Sequence, residues 1–254
     1  MQGSVSNALR AISFLGKIPL STAALLTGGA RFPRRDFGRV ALQCSALALI
    51  IVVVVNLLVG AILAFVGAVQ LIKFGAGVYV ADLVGIAVVR EMAAVMTAVV
   101  MAGRTGASFA AELATMQTNE EVDALEVLGL NTVAYLVLPR VFALTLILPL
   151  LYVYGCIAGL SGGLIVAVSM MNISTPAYLD RSVEALTSVQ FALGASKSLF
   201  FGALVALTGC YYGLYAERNA AGVGLATTGA VVSAIVGVIA LDAIFALCAN
   251  ALGV

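Results

Sequence analysis

The sequence predicts an all-α, polytopic membrane protein with five transmembrane helices, an N-terminal interfacial helix and a short helix on a polar connector. Three observations carry this reading. Hydrophobic residues make up 63% of the 254 and charged residues only 10%. A soluble domain is about 45–50% apolar and ~25% charged, so the chain has too little polar surface to be wrapped in water. Charge-free runs recur at lengths suited to the ~20 residues that cross a ~30 Å hydrocarbon core. Basic residues gather at alternate ends of those runs, although the net charge is only +1. The same composition excludes a disordered chain, and it excludes a nucleic-acid binder, which needs a broad basic surface. The length fits one domain, residues 1–254, with its membrane region over 40–254.

The elements follow in order. Residues 7–30 read as an interfacial stretch rather than a span. At helical spacing Arg10, Ser13, Lys17 and Ser21 fall on one arc and Leu9, Ile12, Leu15 and Ile18 on the other, the pattern of a helix lying in the membrane surface. Pro19 is expected to weaken its last turn, and Pro33 to break the chain beside Arg31, Arg34 and Arg35. This stretch lacks the long apolar core of a secretory signal. The spans are then read as Val40–Ile72, Leu83–Gly103, Val141–Leu179 with an outer extension, Phe191–Tyr215, and Asn219–Leu241 with the apolar run resuming after Asp242. Arg10, Lys17, Arg31, Arg34, Arg35, Arg39, Arg104, Arg140 and Arg218 fall on one side, and only Lys73 and Arg181 on the other. The positive-inside rule therefore puts the N-terminus in the cytoplasm and the C-terminus outside. Tyr211, Tyr212 and Tyr215 are expected at the inner interface. Gly155, Gly159 and Gly163 form a small-residue row suited to close helix packing.

Between the second and third spans the chain turns polar. Residues 112–126 hold Glu112, Glu120, Glu121, Asp123 and Glu126, and Thr118-Asn119-Glu120-Glu121 has the form of a capping box. Val122, Leu125 and Leu128 follow at helical spacing, and Gly129 supplies a stop. Two readings remain: a solvated connector, or a docking helix whose apolar stripe a soluble partner covers.

Four ionisable residues, Arg90, Glu91, Lys197 and Asp242, fall in or beside apolar runs. A charge at the bilayer centre costs about 2.5–3.5 kcal/mol on insertion scales. They are expected either to pair, Arg90 with Asp242 or Lys197 with Glu91, or to line a wet cavity. The chain has no His, so the usual near-neutral general base is absent. Cys44, Cys156, Cys210 and Cys248 are dispersed in apolar runs and read as small buried hydrophobes, not as disulfide or metal sites.

The block from Arg90 to Arg140, REMAAVMTAVVMAGRTGASFAAELATMQTNEEVDALEVLGLNTVAYLVLPR, resembles the MlaE/YrbE permeases of ABC lipid transporters. Phe74-Gly75-Ala76, Tyr79–Gly85, Lys197-Ser198, Ala221–Gly224, Ala226–Thr228 and Leu241-Asp242 extend the resemblance over about residues 40–254. One departure is Ala93-Ala94, where the family usually has Gly-Pro, and a second span without that proline is expected to be straighter.

The resemblance implies a homodimeric inner-membrane permease that moves phospholipids between the inner membrane and the outer envelope. It implies a cytoplasmic ATP-binding subunit, a periplasmic MCE-domain protein and, in several members, a STAS-domain protein. The segment of about 110–129 would be the coupling helix, with Glu112, Glu120, Glu121, Val122, Asp123, Leu125 and Glu126 toward the ATPase. Glu91 and Lys197 would serve transport, and Leu63, Val66, Leu71, Phe74 and Tyr79 would cradle acyl chains. No Walker A motif is present: Gly16-Lys17 precedes Ile18, and neither Lys73 nor Lys197 follows a glycine. The chain is thus read as a transport subunit and not an enzyme, with no metal or cofactor of its own. The alternative is a gradient-driven transporter or channel using Glu91, Lys197 and Asp242, which would usually carry an inverted repeat. An intramembrane enzyme lacks its motifs here.

Overall fold

The structure is a computed structural model that describes residues 10, 12–14, 16–22, 34–171, 173–251 and 253. Helix makes up 91% of it and no strand occurs among the described residues, so the all-α expectation holds. Among the described residues, five helices are long and apolar enough to cross a membrane: Ala48–Lys73, Val80–Thr118, Val133–Met171, Ser188–Leu214 and Ala220–Ala251. We label the elements α1 (Arg34–Lys73), α2 (Val80–Thr118), α3 (Glu121–Val127), α4 (Val133–Met171), α5 (Thr175–Ala185), α6 (Ser188–Leu214) and α7 (Ala220–Ala251).

The boundaries have local causes. Gly75, at φ +69°, turns the chain after α1. Asn131 caps α4, its Oδ1 accepting the Val133 and Ala134 N–H groups at 3.1 and 3.2 Å, and Asn219 caps α7 by accepting the Gly222 N–H at 2.6 Å. Such side chains satisfy amides that a helix start otherwise leaves open. The outer extension expected after the third span is a separate helix, α5, capped by Ser174. The second span is not regular: π-helical turns occupy Val88–Met92 and Ala102–Gly106, so removing the proline does not make it a uniform α-helix.

The chain divides into two compact units, with each boundary inside a helix. One comprises Met1–Cys44, Met101–Thr145 and Ala203–Gly237; the other comprises Ser45–Val100, Leu146–Gly202 and Val238–Val254. In the first, Phe14, Leu113, Val122, Val133, Leu136, Val137 and Cys210 form a buried cluster. In the second, Ala81, Ala167 and Tyr178 form one, with Leu164 and Ile173 against it. Exposed aliphatics such as Ile50, Ile62, Leu146, Ile157, Leu225 and Val236 cover the spans, a surface that suits acyl chains and not water.

Three expectations are corrected. The N-terminal stretch is helical where described, through Pro19 to Thr22, but its faces differ from the two-arc reading. Phe14 is buried beside Tyr211 and Tyr215, with ring centroids at 5.6 and 6.3 Å. Ser21 is buried, while Ile12 and Leu20 are exposed. A third side, running through Phe14, Ile18 and Ser21, packs on protein, which a wheel divided between water and lipid does not anticipate. Leu9, Leu15, Arg31 and Pro33 lie outside the described residues. The capping box does not form: the Thr118 hydroxyl donates to the Ala114 carbonyl at 2.9 Å inside α2, and Glu120, at φ 61°, occupies the N-cap of α3 with no side-chain cap. Finally, Cys248 is exposed, unlike Cys44, Cys156 and Cys210.

Candidate functional site

The connector between α2 and α4 belongs to the first unit. Its stop is as expected: Gly129, at φ +73°, sends its N–H to the Glu126 carbonyl at 2.9 Å, and the Leu130 N–H reaches the Leu125 carbonyl at 3.1 Å. This is a Schellman motif, which favours glycine because the backbone is left-handed there. The apolar stripe, however, is divided. Val122 is buried and Leu125 packs against the same cluster, so neither is free for a partner. Val127 and Leu128 instead stand 88% and 73% exposed. Two of the acids are also used internally. Glu112 pairs with Arg140 at 3.2 Å and Asp123 with Arg218 at 2.7 Å. Glu120, Glu121 and Glu126 are exposed, and Glu121 accepts from Asn119 at 3.1 Å. The outward surface of the connector therefore carries three exposed acids and, at its C-terminal end, two exposed aliphatic side chains, which the even spacing of the stripe did not reveal.

In the second unit the four intramembrane ionisable residues come together. The Lys197 ammonium donates to Glu91 Oε2 and lies 2.9 Å from Asp242 Oδ1. Arg90 Nε is 3.5 Å from Glu91 Oε1. Of the two pairings expected from sequence, Lys197–Glu91 forms. Lys197 sits between both carboxylates, and Arg90, next to Glu91 in sequence, lies beside its other oxygen. Lys197 is 1% exposed, while Glu91 and Asp242 retain 26% and 23%. Two cations meet two carboxylates, so the group is neutral overall, which offsets the cost of charge at bilayer depth. Among the described residues no cluster fits a metal ion.

Residues the sequence reading did not single out hold this group in place. Glu91 lies in the π-helical turn Val88–Met92. The fully buried Tyr152 donates from its hydroxyl to the Val89 carbonyl in that turn at 2.8 Å. Gly194 makes room, because a Cβ there would strike both the Tyr152 hydroxyl and that carbonyl. Asn56, also buried, donates to Thr97 Oγ1 at 3.3 Å. Tyr152 and Asn56 did carry a signal, each being a polar group inside an apolar run, which demands a partner; Gly194 carried none. The acyl-cradle residues are accessible to different degrees. Val66, Phe74 and Tyr79 are exposed, and Leu63 and Leu71 are half-buried. The Arg181 guanidinium lies 4.9 Å from the centroid of the Tyr79 ring.

The family described as Permease MlaE matches residues 37–248. The chain belongs to the MlaE permease family. It is 38% identical over 174 residues to a probable ABC transporter permease protein of Rickettsia typhi, covering 68% of this chain and 67% of that one. It is 39% identical over 170 residues to one from Synechocystis, covering 66% and 64%, and 40% identical over 148 residues to one from Pyropia yezoensis, covering 58% and 56%. This MlaE-family permease is a multi-pass membrane protein. Its Ala93-Ala94 directly follows the π-helical turn that carries Glu91, so the second span is irregular at that point without a proline.

Proposed function

We propose that this MlaE-family permease is the membrane subunit of an ABC transporter that moves phospholipids between the inner membrane and the outer envelope. A separate cytoplasmic subunit binds and hydrolyses the ATP, so the chain is not itself an enzyme and needs no cofactor. The observation that carries this reading is the exposed Val127–Leu128 pair on the connector. An exposed apolar tip on an acidic connector, outside the spans, calls for a soluble partner to cover it. The absence of a Walker A motif from the sequence and the likeness to probable ABC transporter permeases support an external source of energy. In this reading the N-terminus and connector are cytoplasmic and the C-terminus is periplasmic. The permease works as a homodimer with a periplasmic MCE-domain protein, and a STAS-domain protein joins the ATPase side. Glu91 meets the lipid headgroup, with the buried Lys197 behind it as counter-ion, and Leu63, Val66, Leu71, Phe74 and Tyr79 line the path of the acyl chains.

The test is transfer of a fluorescent phospholipid in proteoliposomes. Transfer is expected only with both the ATPase subunit and ATP. Glu91→Gln is expected to slow it about tenfold or more, as loss of one charge-assisted contact of roughly 1.5–3 kcal/mol would do. Glu91 is the better probe because removing Lys197 strips the cation from two carboxylates and so tests stability as well. Full-rate transfer by the permease alone, without nucleotide, would replace this reading with a gradient-driven one through Glu91, Lys197 and Asp242.

A further inference from the structure

Helix α5 has no assigned role, and three independent features fix its level and its sides. It is tied between two spans by short links: residues 172–174 join it to the end of α4, and residues 186–187 lead into α6. It is also pinned to the mouth of α2. Arg181 Nη2 donates to Asp82 Oδ2 at 2.8 Å, and its guanidinium lies 4.9 Å from the Tyr79 ring centroid. Tyr79 directly precedes Val80, the first residue of the second span. The helix therefore lies level with a span terminus, where amphipathic aromatic rings are favoured.

Its circumference divides into three sides. At about 100° per residue, the buried Tyr178 and Ser182 share the side that packs on the protein. The exposed Pro176, Leu179 and Val183 form an apolar flank, and the exposed Asp180 and Glu184 form an acidic one. Leu179 is 49% and Val183 73% exposed. A helix at the membrane boundary with protein on one side has two remaining directions, toward lipid and toward water, and its two flanks match them.

The geometry points to α5 as a membrane-surface helix whose Leu179–Val183 flank is seated in the headgroup and upper acyl region of the lipid leaflet. Asp180 and Glu184 face the water, and the ion pair of Arg181 with Asp82 sets the depth. The inference stands whatever cargo the permease carries.

The chain contains no tryptophan, so one introduced into the full-length permease reports alone. Val183→Trp and Asp180→Trp are reconstituted in phosphatidylcholine vesicles with plain or acyl-brominated lipid. Brominated lipid is expected to lower Val183→Trp emission about twofold. Asp180→Trp is expected to ignore bromine and to be quenched by aqueous iodide. Leu179→Trp, on the same flank, serves if Val183→Trp does not insert. Iodide quenching of the flank variant as strong as that of Asp180→Trp, with no effect of bromine, overturns the inference and leaves the flank to a protein partner.

Discussion

Lys197 occupies a place where a lone cation is costly, and it is accommodated because Glu91 and Asp242 converge on one ammonium. The convergence depends on a π-helical turn, and the turn in turn on the Tyr152 hydroxyl and the bare backbone of Gly194. Gly194→Ala should therefore lower the thermal midpoint in detergent by the equivalent of about 1–3 kcal/mol, the usual cost of overpacking. Gly224, which has nothing near its missing side chain, should tolerate alanine. Tyr178 gives a second prediction, on pH. Burial pushes its phenol up to about 12 from the ordinary 10.0. A pKa raised on folding contributes stability that is fully present below the unfolded value and fades as pH rises through the folded one. Thermal midpoints should thus fall between about pH 10 and 12, and Tyr178→Phe should flatten that decline. An unchanged alkaline slope in the variant would assign the loss to other groups.

At the scale of elements, α3 illustrates what a sequence pattern conveys and what it leaves out. Gly129 announces its own Schellman stop because left-handed backbone strongly selects glycine. Thr118 looks like a cap, yet α2 continues through it and the break falls at Glu120. The capping pattern names compatible residues and does not say where the preceding helix ends. Likewise Val122, Leu125 and Leu128 share a spacing, but only packing decides that the first two face inward and the third outward. Substitutions at the two kinds of position should therefore part. Leu128→Asp is expected to abolish co-purification of the ATPase subunit while leaving the melting curve unchanged. Val122→Ala is expected to cost about 2 kcal/mol of stability, from lost burial and the cavity left behind. If Leu128→Asp retains its partner, the exposed tip is not the contact.

For the molecule as a whole, the spans were legible because lipid imposes one demand, a sufficient apolar length, that any window along the chain reveals. The charged residues were equally legible as a group, since each stood out from an apolar run. Of their partners, Glu91 for Lys197 was anticipated, and Asp242 for the same ammonium was not. How Glu91 faces Lys197 depends on the rotation of α2 about its axis, and the π-helical turn Val88–Met92 alters that rotation without a composition signal. The same neutral quartet bears on the order of biogenesis. The ribosome delivers Arg90 and Glu91 together, so these two charges of the second span already cancel as they enter the translocon. Lys197 emerges later, when Glu91 is already waiting, and Asp242 arrives last. A nascent chain halted after its fourth span thus already contains a carboxylate partner for Lys197, and the final helix adds a second one.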